Sequence, residues 1–420
     1  MQPMPADLVA AGADASGPAR RLVVAYAFSP YADTSAIVAS KRVRVGAEPV
    51  DVISNAMDRI RGRDQTLPEV VAGLVRRHAV LPTRTLFGAW PSVEQFCVAG
   101  EETLAGWQAE PAGTPYDSMY SRSHFVASHF LAALVKLRRP EVHWQAEFSD
   151  PASRYAHGER RRGDVPSGPL AERLREALAE RGVHPPEDAT VYEWCELLTY
   201  TLADEVWFTN AGQVDYCASY LSDPAVAATM RRKARVVPHP SLPGSFYDRR
   251  TVETLTEPGV TTIAYFGSFY SAQDPGTLLT ALSLLEPGDR ARVRLLVHTG
   301  DADGQLAARV AQAGVGDVVR IRPRLQFLDF LAATRAVDVL LAIDYAPVAG
   351  ADSHPVLLSK WSDYGPSGTP VWGVTTEGSP LSGEELAHRS PVGHLTATLQ
   401  VLTTLARRGP GATGTRAGPS

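Results

Sequence analysis

The chain has 420 residues, with 41 Lys plus Arg against 46 Asp plus Glu and a formal net charge of -5. That length suits two domains of ordinary size, and a balanced charge without a like-signed block argues against nucleic acid as the main partner. Cys97, Cys195 and Cys217 are an odd set without metal-ligand spacing, and they read as buried or inert thiols of a reducing compartment. The N-terminus has acids where a signal peptide needs bases, and no run approaches about 18 apolar residues. A cytoplasmic protein without a spanning helix is therefore expected.

Residues 1 to 20 and 408 to 420 are rich in Gly, Pro, Ala and Ser and predict loose tails. Inside them, short apolar runs alternate with helix-period segments, the pattern of parallel sheets with crossover helices. RLVVAYAF (21–28), VDVI (50–53), TRTLFGAW (83–90), VHWQAEF (142–148) and EVWFTN (205–210) are the expected strands of a first domain over 21–245, with SHFVASHFLAALVKL (123–137) among its helices. Residues 158–188 interrupt this rhythm as a surface excursion, a charged loop and then PLAERLREALAERG, a helix with Glu and Arg at helical spacing. The Arg160-Arg161-Arg162 cluster reads as a solvated run.

After a proline-rich junction, a second series spans 258–400: TTIAYFGSF, ARVRLLVHT, VVRIRP, VDVLLAI and TPVWGV. The intervening DPGTLLTALSLLE, DGQLAARVAQAG, LQFLDFLAATRA and HPVLLSKWSDYGPSG mostly carry helical periodicity. The expectation is two doubly wound α/β domains facing a cleft, with ligands beyond the carboxyl ends of the strands.

Candidate chemistry gathers at those ends. Gly267 and Ser268 follow the first strand of the second domain, where a glycine admits an anion to backbone N–H groups or simply makes the turn. Lys360 could pair with a phosphate, Ser359 could donate to it, and Asp363, a helical turn on, could accept two ribose hydroxyls. The same Lys360 and Asp363 also fit an ordinary surface ion pair. In the first domain, Asp150 closes VHWQAEFSDP with Glu147 upstream, placed either for substrate hydroxyls or as a turn-initiating Asp-Pro. Ser29, Asp33 and Thr34 follow the first strand and would line the opposite wall or cap the next helix. His239, between two prolines, reads as structural. A P-loop, a G-x-G-x-x-G fingerprint, zinc spacing and a G-x-S-x-G elbow are all missing from the sequence.

Taken together, YFGSFYSAQDPGTLLTAL, HPVLLSKWSDYGPSGTPVWGV, LADEVWFTN, RVVPHPS and WQAEFSDP resemble, in order and at these intervals, segments of the GT-B glycosyltransferases of the large retaining, family 4-like group. The resemblance covers most of residues 21 to 400. It implies a GT-B fold of two Rossmann-like domains and transfer, with retention, from a nucleotide sugar to a glycan, lipid-linked or secondary-metabolite acceptor. It implies no required metal or other cofactor, and it leaves peripheral contact at the inner membrane face open. Carried over by position, it puts Gly267, Ser268, Ser359 and Lys360 at the donor diphosphate, Asp363 at the donor ribose, and Asp150 at the acceptor hydroxyl. Two positions depart from the group. Pro355 stands where its first acid falls, and Gln273 where a basic residue is frequent, so Arg322 and Arg324 are expected to assist Lys360. A silent GT-B protein that binds a partner and a nucleotide-sugar epimerase are the alternatives.

Overall fold

A computed structural model describes residues 17–110, 115–155, 158–269, 273–300, 304–346 and 355–409. The chain divides into two units. The first holds the residues up to Ser153, Arg161–Phe208 and Tyr220–Arg235, and the second holds Arg154–Arg160, Thr209–Ser219 and the chain from Val236 onward. Most of both expected tails lies outside the described residues.

Each unit is built on a parallel sheet. The first contains β1 (Arg21–Val24), β2 (Val50–Asn55), β3 (Val75–Leu81), β4 (Ser118–Arg122), β5 (His143–Phe148), β6 (Glu205–Phe208) and β7 (Ala234–Val236), in the order β3-β2-β1-β4-β5-β6-β7. The second contains β8 (Thr261–Phe266), β9 (Val293–Thr299), β10 (Val319–Pro323), β11 (Val339–Ile343), β12 (Val371–Thr375) and β13 (His388–Pro391), ordered β10-β9-β8-β11-β12-β13. Both orders reverse beside the first strand of their sheet, which is where doubly wound folds open a crevice at the carboxyl edge.

Burial explains why the central strands form. Every residue of β2 and β8 is buried, as expected for strands covered on both faces. In the second sheet, Ile263, Tyr265 and Val297 pack on one face with Leu402 and Leu405 of the helix Leu395–Arg408. Ala264, Phe266 and Leu340 pack on the other face with Leu357, Leu358 and Tyr364. The alternation follows from the two-residue period of a strand. All three cysteines are free and buried, and burial pushes the Cys97 and Cys195 thiols up.

Several expectations are corrected. Residues 83–90 form no strand; they are a loop leading into the helix Trp90–Ala109. Asn55 fixes that loop by donating to the Thr83 carbonyl at 2.9 Å, and Tyr26 donates to Thr85 Oγ1 at 3.0 Å. The strand is instead β3, whose alternating exposure marks an edge position. The polar β4 and the edge strand β13 are additional. Of HPVLLSKWSDYGPSG, His354 lies outside the described residues and only Trp361–Tyr364 is α-helical, followed by a 3-10 turn at Gly365–Ser367. Pro366 ends helical hydrogen bonding there. In the excursion, the helix Pro169–Ala179 buries Ala171, Leu174, Ala177 and Leu178, so only its other face is solvated. Among the described residues, no helix is long and apolar enough to cross a membrane.

Candidate functional site

The carboxyl edge of the second sheet is organised around Gly267. Its φ of 125° suits glycine, and a Cβ there would lie 3.1 Å from Lys360 Nζ. Gly267 donates its N–H to the His298 carbonyl at 2.9 Å, which fixes the turn against the end of β9. Lys360 arrives from the short helical turn after Leu358 and rests its ammonium 4.0 Å from the centroid of the Tyr265 ring. That ring stacks on Phe269 at 4.2 Å and donates its hydroxyl to the Ser268 carbonyl at 3.0 Å. Arg324 donates to Ser268 Oγ at 2.9 Å.

The cations of this edge are left without ion-pair partners among the described residues. Burial, aided by the charge of Arg324, brings the Lys360 ammonium down to about 7. Among the described residues, Lys360, Arg322 and Arg324 make no ion pair, although the chain is acidic overall. Cations without ion-pair partners, beside a turn too tight for a side chain, suit an anion. No group of three or more His, Cys, Asp or Glu side chains among the described residues is arranged to hold a metal ion.

Other expected donor residues sit differently. Gln273 is 2% exposed, and its amide donates to the Ile343 carbonyl at 2.8 Å, so it braces the end of β11. Asp363 is buried, with its backbone carbonyl accepting from Tyr247 at 2.8 Å, and it is no surface ion-pair partner of Lys360. Ser359 is half-buried beside Lys360. The Pro355 carbonyl accepts from Asn210 at 2.7 Å.

At the carboxyl edge of the first sheet, most charge is neutralised internally. Glu147 is fully buried and accepts from Arg122 at 2.6 Å, Arg42 at 2.9 Å and Tyr120 at 2.6 Å. It is part of the framework beneath the edge and is not an acceptor-facing group. Asp33 caps the helix Thr34–Gly46 by accepting from the Ser35 N–H and pairs with Arg61 at 2.7 Å. Burial works to raise its carboxyl, but His124, Arg61 and the Ser35 N–H outweigh it and hold the group below its ordinary value. Ser29 is buried and Thr34 exposed at the first position of the helix.

Asp150, just past β5, is half-buried and makes no hydrogen bond or ion pair among the described residues. Its charge and that of Asp33 both act on His124, whose imidazole is nonetheless lowered, chiefly by desolvation. His124 escaped the sequence reading because it follows β4, a strand too polar to show as one. It stands edge-on to Phe125 at 5.0 Å, and Phe125 stacks with Phe87 at 4.7 Å. Phe87, Phe125 and Tyr192 line a shallow recess at this edge together with His124. Arg161 lies over Tyr192 at 5.4 Å and its charge reaches His124, so this arginine of the excursion is no free solvated charge.

The architecture is that of the GT-B fold. The chain is similar to HepE of Anabaena, solved in complex with UDP-glucose, at 11% identity and a TM-score of 0.57 over 91% of this chain and 89% of that one. It is similar to sucrose-phosphate synthase of Thermosynechococcus elongatus at 14% identity and a TM-score of 0.54 over 94% and 91%. A Listeria monocytogenes protein assigned as a UDP-N-acetylglucosamine 2-epimerase matches at 13% identity and a TM-score of 0.50 over 94% and 93%. No protein-family profile matches the sequence, and no curated protein does.

Proposed function

We propose that the chain is a glycosyltransferase that binds the diphosphate of a nucleotide sugar at the second sheet's edge and transfers the sugar to an acceptor hydroxyl. The observation that carries this reading is the set of cations without acidic partners among the described residues, Lys360 beside Gly267, Arg324 on Ser268 and Arg322 near the end of β10. A leaving nucleoside diphosphate needs its growing negative charge stabilised, and cations held in place before the reaction stabilise it without reorganisation. Lys360 and Arg324 supply that charge, Ser268 and Ser359 supply hydroxyls, and Asp363 is assigned to the ribose. The GT-B relatives solved with UDP and UDP-glucose support a nucleotide-sugar ligand.

On the acceptor side, Asp150 and His124 are the groups proposed to orient the hydroxyl. Retention of configuration, and an acceptor that is a glycan, a lipid-linked glycan or a secondary metabolite, belong to this reading through the family resemblance. Calorimetry against uridine, guanosine, adenosine and thymidine diphosphates tests the ligand class: one or more should bind, and Lys360→Ala should remove the binding. Undiminished binding or turnover in that variant would sink the assignment.

Two observations favour other readings. The likeness to the Listeria protein supports an epimerase, which would convert a nucleotide sugar supplied alone. Gln273 turned inward and Pro355 in place of an acid favour a silent binding protein, which would bind none of the diphosphates.

A further inference from the structure

His298 is 7% exposed, and it lies in register with Phe266 on one side and Arg322 on the other, so the three side chains share one face of the sheet. Its ring stacks on Phe266 at 5.4 Å, and Nδ1 lies 2.8 Å from the Pro323 carbonyl. A carbonyl only accepts, so Nδ1 carries the proton and Nε2 of the neutral ring is left as an acceptor. Burial, foremost, and Arg322 lower the ring's proton affinity and keep it neutral. Yet Nε2 is buried with no hydrogen-bond partner. An orphaned buried acceptor is unfavourable and calls for a reason. The backbone of this same residue anchors the Gly267 turn of the proposed donor site, and Arg322 stands beside it in register.

We infer that His298 Nε2 accepts a hydrogen bond from a hydroxyl or N–H of the nucleoside or sugar portion of the ligand, making His298 a positioning and specificity residue. Lys360, Arg322 and Arg324 read the diphosphate, and a fixed imidazole tautomer reads what is attached to it. This rests on the donor-site reading above, and the two fail separately.

The test is calorimetry of wild type and His298→Phe with inorganic pyrophosphate, with the tightest of the four nucleoside diphosphates, and with its glucose conjugate. His298→Leu serves as a second variant should the first fold poorly. The expected result is about a tenfold loss of affinity for the nucleotide ligands, pyrophosphate affinity unchanged, and a melting temperature no lower than wild type. Loss already with the nucleoside diphosphate assigns the contact to the nucleoside; loss confined to the conjugate assigns it to the sugar. Equal loss for pyrophosphate and nucleotide, or no loss for either, overturns the inference while the donor site stands. Wild-type protein that binds none of the three removes the donor site itself, and the inference with it.

Discussion

The carboxyl edges of the two sheets treat charge in opposite ways. In the first unit, Glu147 is enclosed by Arg42, Arg122 and Tyr120, and Asp33 by Arg61. In the second, Lys360, Arg322 and Arg324 have no carboxylate partners among the described residues. Buried charges that satisfy one another hold a fold in one arrangement, whereas charges left uncompensated at a sheet edge are available to a ligand. Sorting residues by that criterion removes Glu147 and Asp33 from the candidate site and keeps Lys360, Arg324 and Asp150.

The contrast is broken most forcefully at Glu147. Glu147→Ala strands two buried guanidinium groups and is expected to cost about 3–5 kcal/mol of stability, read as a lowered denaturation midpoint in urea. If the midpoint holds, the first edge is not the rigid partner described.

Lys360→Ala should do the reverse, leaving stability at neutral pH no lower than wild type and weakening nucleoside diphosphate binding by about 2 kcal/mol, near the middle of the range for hydrogen bonds to charged groups. Calorimetry and a thermal melt on the same sample separate the two effects.

The pH dependence sharpens the same point. Lys360 sits at about 7 in the folded chain against 10.5 for an ordinary lysine. Between those values the unfolded chain holds the extra proton, so this residue makes stability rise with pH across the window. A bound diphosphate favours the ammonium, so binding at pH 8 should take up a proton, and affinity should fall by up to about tenfold per pH unit above 7. The binding heat at pH 8 should then differ between phosphate and Tris buffers, and equal heats would contradict the assignment.

The smallest expected effect is that of Asp150→Asn on nucleotide affinity and stability, within about 0.5 kcal/mol on both, because the carboxylate has no structural partner. Transfer to an acceptor is where this variant should fail, measured as product formed at saturating donor.

Much of the architecture is legible in the amino-acid order, and the exceptions share a cause. Strands buried on both faces, such as β8 and β11, announce themselves as apolar runs. The strands β3, β4 and β13 carry Arg77, Ser121 and Arg389, and their polar groups are satisfied by tertiary partners such as Asp51 and His129 that no local pattern encodes. The TRTLFGAW run has the composition of a strand but is held as a loop by Asn55, Tyr26 and Ser92, residues distant in sequence or beyond its end. Lys360 and Gly267 are legible as candidates, yet that a Cβ on Gly267 would lie 3.1 Å from Lys360 Nζ is a fact of folding alone. His124 and His298 have motif-free surroundings, and only their neighbours in space single them out.

The ammonium of Lys360 lies over the Tyr265 ring, a contact worth about 0.5–2 kcal/mol and therefore easily exchanged for a phosphate oxygen. Such an exchange would withdraw a positive charge from the face of a chromophore. The site thus carries its own optical reporter: near-ultraviolet spectra of the tyrosine would register occupancy directly, and the signal should vanish in Tyr265→Phe, which keeps the ring but moves its absorbance.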